Sequence, residues 1–153
     1  GKTMHKIFFI ILVFTNLIYA AQPDLAKKAE IKELIEKEAK DLPIPITADG
    51  NMVISNIKYD IEENVVHITA LMNHKFFAPK PENIEKVKEL ISKKIAPMQT
   101  QELCNDYPMI TLLLSNVLIK YEYVLDNTIE PFYTINITKK TCGYTGDFKI
   151  IGK

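Results

Sequence analysis

Residues 117–138 read VLIKYEYVLDNTIEPFYTINIT, and the alternation in this stretch decides the fold. Val117, Ile119, Tyr121, Tyr123 and Leu125 fall on one face, and Leu118, Lys120, Glu122 and Val124 on the other. A period of two belongs to a pleated strand with one face in a core. Asp126-Asn127 supplies a two-residue turn,. The chain returns over residues 128–138, with Phe132 and Thr134 opposite Tyr133, Ile135 and Ile137. Pro131 lacks the N–H that a central strand needs, so the return strand is bulged there or lies at an edge.

Upstream, the same period appears twice more. Residues 52–59 read as a strand with Val53, Ser55, Ile57 and Tyr59 on one face. Residues 65–72 read as its antiparallel partner, with Val66, Ile68, Ala70 and Met72 alternating with Val65, His67, Thr69 and Leu71,. Helical spacing governs residues 24–40, where Leu25, Ile31, Leu34, Ile35 and Ala39 form an apolar stripe and the Lys/Glu run forms a solvated face,. Leu42-Pro43-Ile44-Pro45-Ile46 is a stiff, extended connector,. A second helix is predicted over residues 82–95, opened by Pro81 and ended by Pro97, with residues 98–102 as a polar link,. Residues 106–115 predict a short helix, with Asn116 as a left-handed cap and a strand as the alternative,. The order is α-β-β-α-(α)-β-β. It implies an α+β fold: an antiparallel sheet of about four strands, in two hairpins, packed on two or three helices.

The N-terminus carries an address. After Met4-His5-Lys6 comes the apolar run Ile7-Phe8-Phe9-Ile10-Ile11-Leu12-Val13-Phe14, and small residues follow at Ala20-Ala21. This is the layout of a secretory signal peptide over residues 1–20, with 1–3 upstream of the natural start. Residues 21–153 then form one exported domain, periplasmic or secreted, with no stable membrane span after cleavage. A retained anchor is the alternative, although the uncharged window is short for a span. Cys104 and Cys142 are the only cysteines. In an oxidising compartment an even pair reads as one disulfide. Closing a loop of 38 residues stabilises by roughly 4 kcal/mol in the chain-entropy model.

Composition removes several functions. All 19 basic residues are lysines, matched by 19 acidic ones. Without the signal segment the balance is 17 lysines against 19 acids, a net charge of −2. Such a surface suits neither nucleic acid nor anionic lipid. No nucleotide-binding glycine loop, no G-x-S-x-G and no H-E-x-x-H occurs,. His67 and His74 do not show metal-ligand spacing,, so no metal, cofactor or catalytic residue is assigned. A hydrolase using either histidine with a carboxylate is the weakest of three readings.

Aromatic side chains are the concentrated feature. Tyr121, Tyr123 and Tyr133 on the hairpin, and Phe76 and Phe77 in a loop flanked by Lys75 and Lys80, are the candidate partner contacts,; core packing with cross-strand pairing is the other reading of the hairpin tyrosines. The run from Cys104 to Cys142 (Cys, short apolar helix, Asn at a turn, Tyr-x-Tyr, Asp at a turn, closing strand with Cys) is similar in style to small exported proteins of Gram-negative bacteria. That resemblance implies an immunity or inhibitor protein, or an accessory of an envelope machine. The expected function is therefore non-enzymatic protein–protein contact. A small-ligand or lipid carrier, with an apolar pocket between helices and sheet, is the alternative.

Overall fold

The computed structural model describes residues 25–144. The expected signal segment and the end of the C-terminal tail lie outside the described residues. Five strands form one sheet in the order β1-β2-β3-β4-β5: Ile44–Pro45, Met52–Asp60, Val65–Met72, Leu118–Leu125 and Tyr133–Ile137. The expected hairpins β2–β3 and β4–β5 are both present and antiparallel. They join through a parallel pair, β3 with β4, in register from Val65 opposite Leu118 to Met72 opposite Leu125. The sheet is thus mixed and five-stranded, which corrects the expectation of an antiparallel sheet of four. A parallel neighbour needs a long crossover, and the helical stretch between β3 and β4 supplies it. The fifth strand comes from the stiff connector: Ile44 and Pro45 pair with Ile54 and Val53 at the sheet edge, where a proline costs no ladder bond.

The inner face of the sheet is the core. From β3 it takes Val66, Ile68, Ala70 and Met72, and from β4 Ile119, Tyr121, Tyr123 and Leu125, all buried. Strand β2 departs from the expected alternation. Ile57 and Tyr59 point inward, but before them Met52 and Ile54 are buried instead of Val53 and Ser55. A register shift between Ile54 and Asn56 explains the switch: one extra residue in a strand moves all preceding side chains to the other face. The return strand β5 starts at Tyr133, not at residue 128. Residues 126–132 form a seven-residue loop instead of the expected two-residue turn, since Pro131 cannot donate to the ladder.

Helix α1 (Leu25–Ala39) lays Ile31 and Ile35 on the core. Glu38, seven residues after Ile31 on the same face, is drawn in with them although its charge run reads as solvated,. A single-turn helix α2 (His74–Phe77) replaces the expected loop, with the Asn73 carboxamide oxygen accepting the Lys75 N–H at 3.0 Å,. A 3₁₀ turn at Pro81–Asn83 leads into α3 (Ile84–Leu90), a π-helical turn (Ile91–Ile95) and α4 (Ala96–Cys104). The helix therefore runs on past Pro97, against expectation. The π turn is the reason: the Ala96 N–H reaches five residues back to the Ile91 carbonyl. That widening makes room where the proline ring would otherwise strike the preceding turn. Helix α5 (Tyr107–Leu114) follows, burying Met109, Leu112 and Leu113. Asn116 closes it in the left-handed region at φ 64°. The Asn116 N–H bonds the Leu113 carbonyl and the Val117 N–H the Leu112 carbonyl, the expected left-handed cap,.

Candidate functional site

Helix α4 and strand β5 are the two walls of a groove of about 500 Å³. Ser92, Ala96, Thr100 and Cys104, four residues apart, line it from the helix, together with Pro97 and Gln101. Tyr133 and Ile135 line it from β5, and Thr141 and Cys142 from the turn after β5. A spacing of four places side chains in one row along a helix, and here the row is small, which leaves the groove open. None of the ten lining residues is charged, on a chain that carries 19 lysines and 19 acidic residues. An uncharged wall neither repels an apolar guest nor imposes the cost of desolvating a charge.

Cys104 and Cys142 are joined, with an S–S distance of 1.99 Å and a Cα separation of 5.3 Å. Cys104 ends α4. Cys142 sits in a helical turn that closes like a helix end. The Gly143 N–H bonds the Lys140 carbonyl and the Tyr144 N–H the Lys139 carbonyl, with Gly143 at φ 87°,. The disulfide therefore ties α4 to the turn after β5 at one end of the groove.

Beneath the groove lies a polar network. Gln99, buried on α4, donates through Nε2 to the Tyr121 hydroxyl at 3.0 Å, and its Oε1 accepts from the Tyr123 hydroxyl. Burial pushes both tyrosine hydroxyls well above their ordinary range, the Gln99 bond partly opposing this at Tyr121,. Tyr121 and Tyr123 meet at a tilt, 5.3 Å between ring centroids, and so do Tyr123 and Tyr133 at 6.2 Å. The three rings run from the core out to the groove.

This arrangement divides the five candidate contact residues. Tyr121 and Tyr123 are both 0% exposed and out of a partner's reach. Central-strand position and the Gln99 bonds make them core, which corrects their reading as contacts. Tyr133 is half-buried and lines the groove. Phe76 is 58% exposed and meets Phe77, half-buried, edge-on at 4.9 Å. The α2 turn that carries them is fastened to the β4–β5 loop. Asp126 accepts the His74 backbone N–H at 3.0 Å and contacts His74 Nδ1 at 2.5 Å. These bonds, the backbone one first, hold the Asp126 carboxyl below its ordinary range. On the outer face of the sheet His67 faces Glu122 at 3.5 Å. Among the described residues no group of three or more His, Cys, Asp or Glu is placed to hold a metal, and no helix is long and apolar enough to cross a membrane.

Neither Gln99 nor the Ser92–Ala96–Thr100 row stands out as a site in the residue pattern. The fourfold spacing was there to see, but it spans Pro97, where the pattern reads as a helix end.

No family model matches the chain, and no curated protein matches it. Its fold is that of three solved structures. The pilotin EpsS of the Vibrio vulnificus type 2 secretion system is 14% identical, with a TM-score of 0.57 over 75% of this chain and 90% of its own. A Pseudomonas aeruginosa protein, solved as a secreted protein, is 16% identical, with a TM-score of 0.54 over 75% and 95%. The type II secretion pilotin AspS of Vibrio cholerae is 14% identical, with a TM-score of 0.50 over 77% and 98%. At such identities the likeness is one of fold.

Proposed function

We propose that this protein is an exported, non-enzymatic accessory of protein-secretion machinery, which holds an uncharged, apolar segment of a partner protein between α4 and β5. The groove carries this reading: an uncharged channel lined by small side chains on one wall and by Tyr133 and Ile135 on the other. Tyrosine at the edge of a desolvated pocket is a common anchor of protein interfaces. The fold likeness to two type II secretion pilotins supports the class of machine. The disulfide and the likeness to a secreted protein support export. Phe76, exposed on a turn pinned by Asp126, supplies a second contact outside the groove.

The test is site-specific photocrosslinking in the exporting host, with benzoylphenylalanine at Thr100. A crosslink to a secretion-system component, lost when Ser92→Trp fills the groove, is the expected result. Unimpaired secretion in the Ser92→Trp strain, with no crosslink from Thr100, would overturn the reading. The groove volume also falls in the range of small-ligand sites,. A native mass spectrum carrying extra small-molecule mass, released on denaturation, would favour the carrier instead.

A further inference from the structure

We infer that the Cys104–Cys142 disulfide is a clasp that completes one end of the groove, so that the protein is competent to grip its partner only in the oxidised state. The inference rests on the proposed docking role for its biological meaning, but its structural half stands alone.

Both cysteines line the groove, so the bond is part of the binding surface as well as a tie between α4 and the turn after β5. Each wall is anchored to the sheet independently. Helix α4 is held by Leu103, fully buried, and by the Gln99 bonds to Tyr121 and Tyr123. Strand β5 is held by its ladder with β4 and by buried Ile137. The turn after β5 is different. Among the described residues its hydrogen bonds close on its own segment: Cys142 N–H to the Thr138 carbonyl, Gly143 N–H to Lys140, Tyr144 N–H to Lys139, and the Thr141 hydroxyl to Thr138 and to the Asn136 carbonyl. The turn is a preformed unit whose Cys142 also touches the core, and the disulfide is the one covalent link that sets it against α4. When that link is cut, the fold keeps both walls, while the turn, with Thr141 and Cys142, is released from the groove's end.

The chemistry balances as thiol–disulfide exchange. One cysteine thiolate attacks the disulfide of an oxidant, such as a thiol–disulfide oxidoreductase, and expels one oxidant thiolate. The second cysteine then attacks the mixed disulfide and expels the other. Two protein thiols lose two protons and two electrons, and the oxidant leaves as a dithiol. Both cysteines are half-buried and line the groove, so neither is sealed in the core away from an oxidant's disulfide. A chain still in a reducing compartment would thus carry the fold without a finished groove, and would not engage its partner before export.

The experiment places two ketone-reactive spin labels, on p-acetylphenylalanine at Gln101 and Lys140, both exposed, in the otherwise native protein. A control pair sits at Gln101 and Thr134. Distances are read before and after dithiothreitol, with circular dichroism alongside. The expected result is a single narrow 101–140 distance that lengthens and broadens on reduction, as the released turn samples positions away from α4. The 101–134 distance and the dichroism stay unchanged. An unchanged 101–140 distance would overturn the clasp, and so would loss of sheet signal, which would make the bond a support of the whole fold. Crosslinking from Thr100 to the secretion component is then compared for oxidised and reduced protein, with capture lost on reduction expected. Equal capture in both states overturns the inference and leaves the docking role intact. Capture in neither state overturns the docking role, and the distance measurement still decides the clasp.

Discussion

Tyr121 and Phe76 are both large aromatics that the sequence offers as partner contacts, yet one is fully buried and the other 58% exposed. The difference is not in the side chains. Tyr121 sits mid-strand in β4, with β3 on one side and β5 on the other, and its hydroxyl finds Gln99 in the interior. Phe76 sits in a one-turn helix that has no buried residue. A buried tyrosine needs a partner for its hydroxyl, and α4 provides it only because the helix runs past Pro97. The contrast teaches that aromatic content marks a surface only where the backbone has nowhere to bury it.

That contrast can be broken by substitution. Tyr121→Ala should cost about 3–5 kcal/mol, the range for deleting a buried ring, read as a large fall in the denaturant midpoint; a loss under 1 kcal/mol would mean that the ring is not core. Gln99→Leu keeps the volume but strands two buried hydroxyls. Its expected cost is about 1–3 kcal/mol, and Tyr121→Phe combined with Tyr123→Phe should recover part of it.

Alkaline pH sharpens the same comparison. Burial holds the hydroxyls of Tyr121 and Tyr123 above their ordinary range, and pushes Tyr59, with Asp60 beside it, up to about 12. A group whose folded value is raised contributes stability that is whole below the unfolded value, about 10, and is lost as pH rises past it. Melting temperature should hold steady up to about pH 10 and fall above it, with a smaller fall in the Tyr123→Phe variant.

Asp126 works in the other direction. Its carboxyl value is depressed, chiefly by the His74 backbone N–H, so its contribution is present above the unfolded value, about 3.9, and is lost as pH drops through the folded one. Asp126→Asn should lower stability by no more than about 1 kcal/mol, since the site is exposed, and should loosen α2 as seen by faster hydrogen exchange at His74. Phe76→Ala should shift stability by no more than about 0.5 kcal/mol, while weakening partner capture if the turn is a contact.

Much of this fold was legible in the residues themselves. Period-two alternation located β2, β3 and β4, helical spacing located α1 and the helix begun near Pro81, and Asn116 announced the left-handed cap that ends α5. The bulge in β2 was hidden because nothing in Ser55 or Asn56 distinguishes an extra residue from a paired one. The run of α4 through Pro97 was hidden because a π turn is set by tertiary packing. The joining of the hairpins was hidden because alternation says which face is buried but not which edge meets which. The groove inherits two of these gaps. Its helical wall runs across Pro97, and its strand wall lies on the edge left free once β3 has paired with β4. Of the site residues, Tyr133 and the two cysteines could be named from sequence, while Ser92, Ala96 and Thr100 needed the three-dimensional neighbourhood.

The parallel seam at the centre of the sheet has a consequence for how the chain reaches this state. Asn64 and Asn116, which meet where β3 and β4 begin, are 52 residues apart in the chain. Each hairpin can zip from a local turn, whereas the seam must close a long loop against its entropy before any of its bonds form. Until it closes, two half-sheets expose the apolar faces of Ile68 and Met72 on one side and of Ile119 and Tyr121 on the other. Seam closure is thus expected to limit the folding rate, and the interval before it is when the chain is most open to aggregation and most in need of a chaperone.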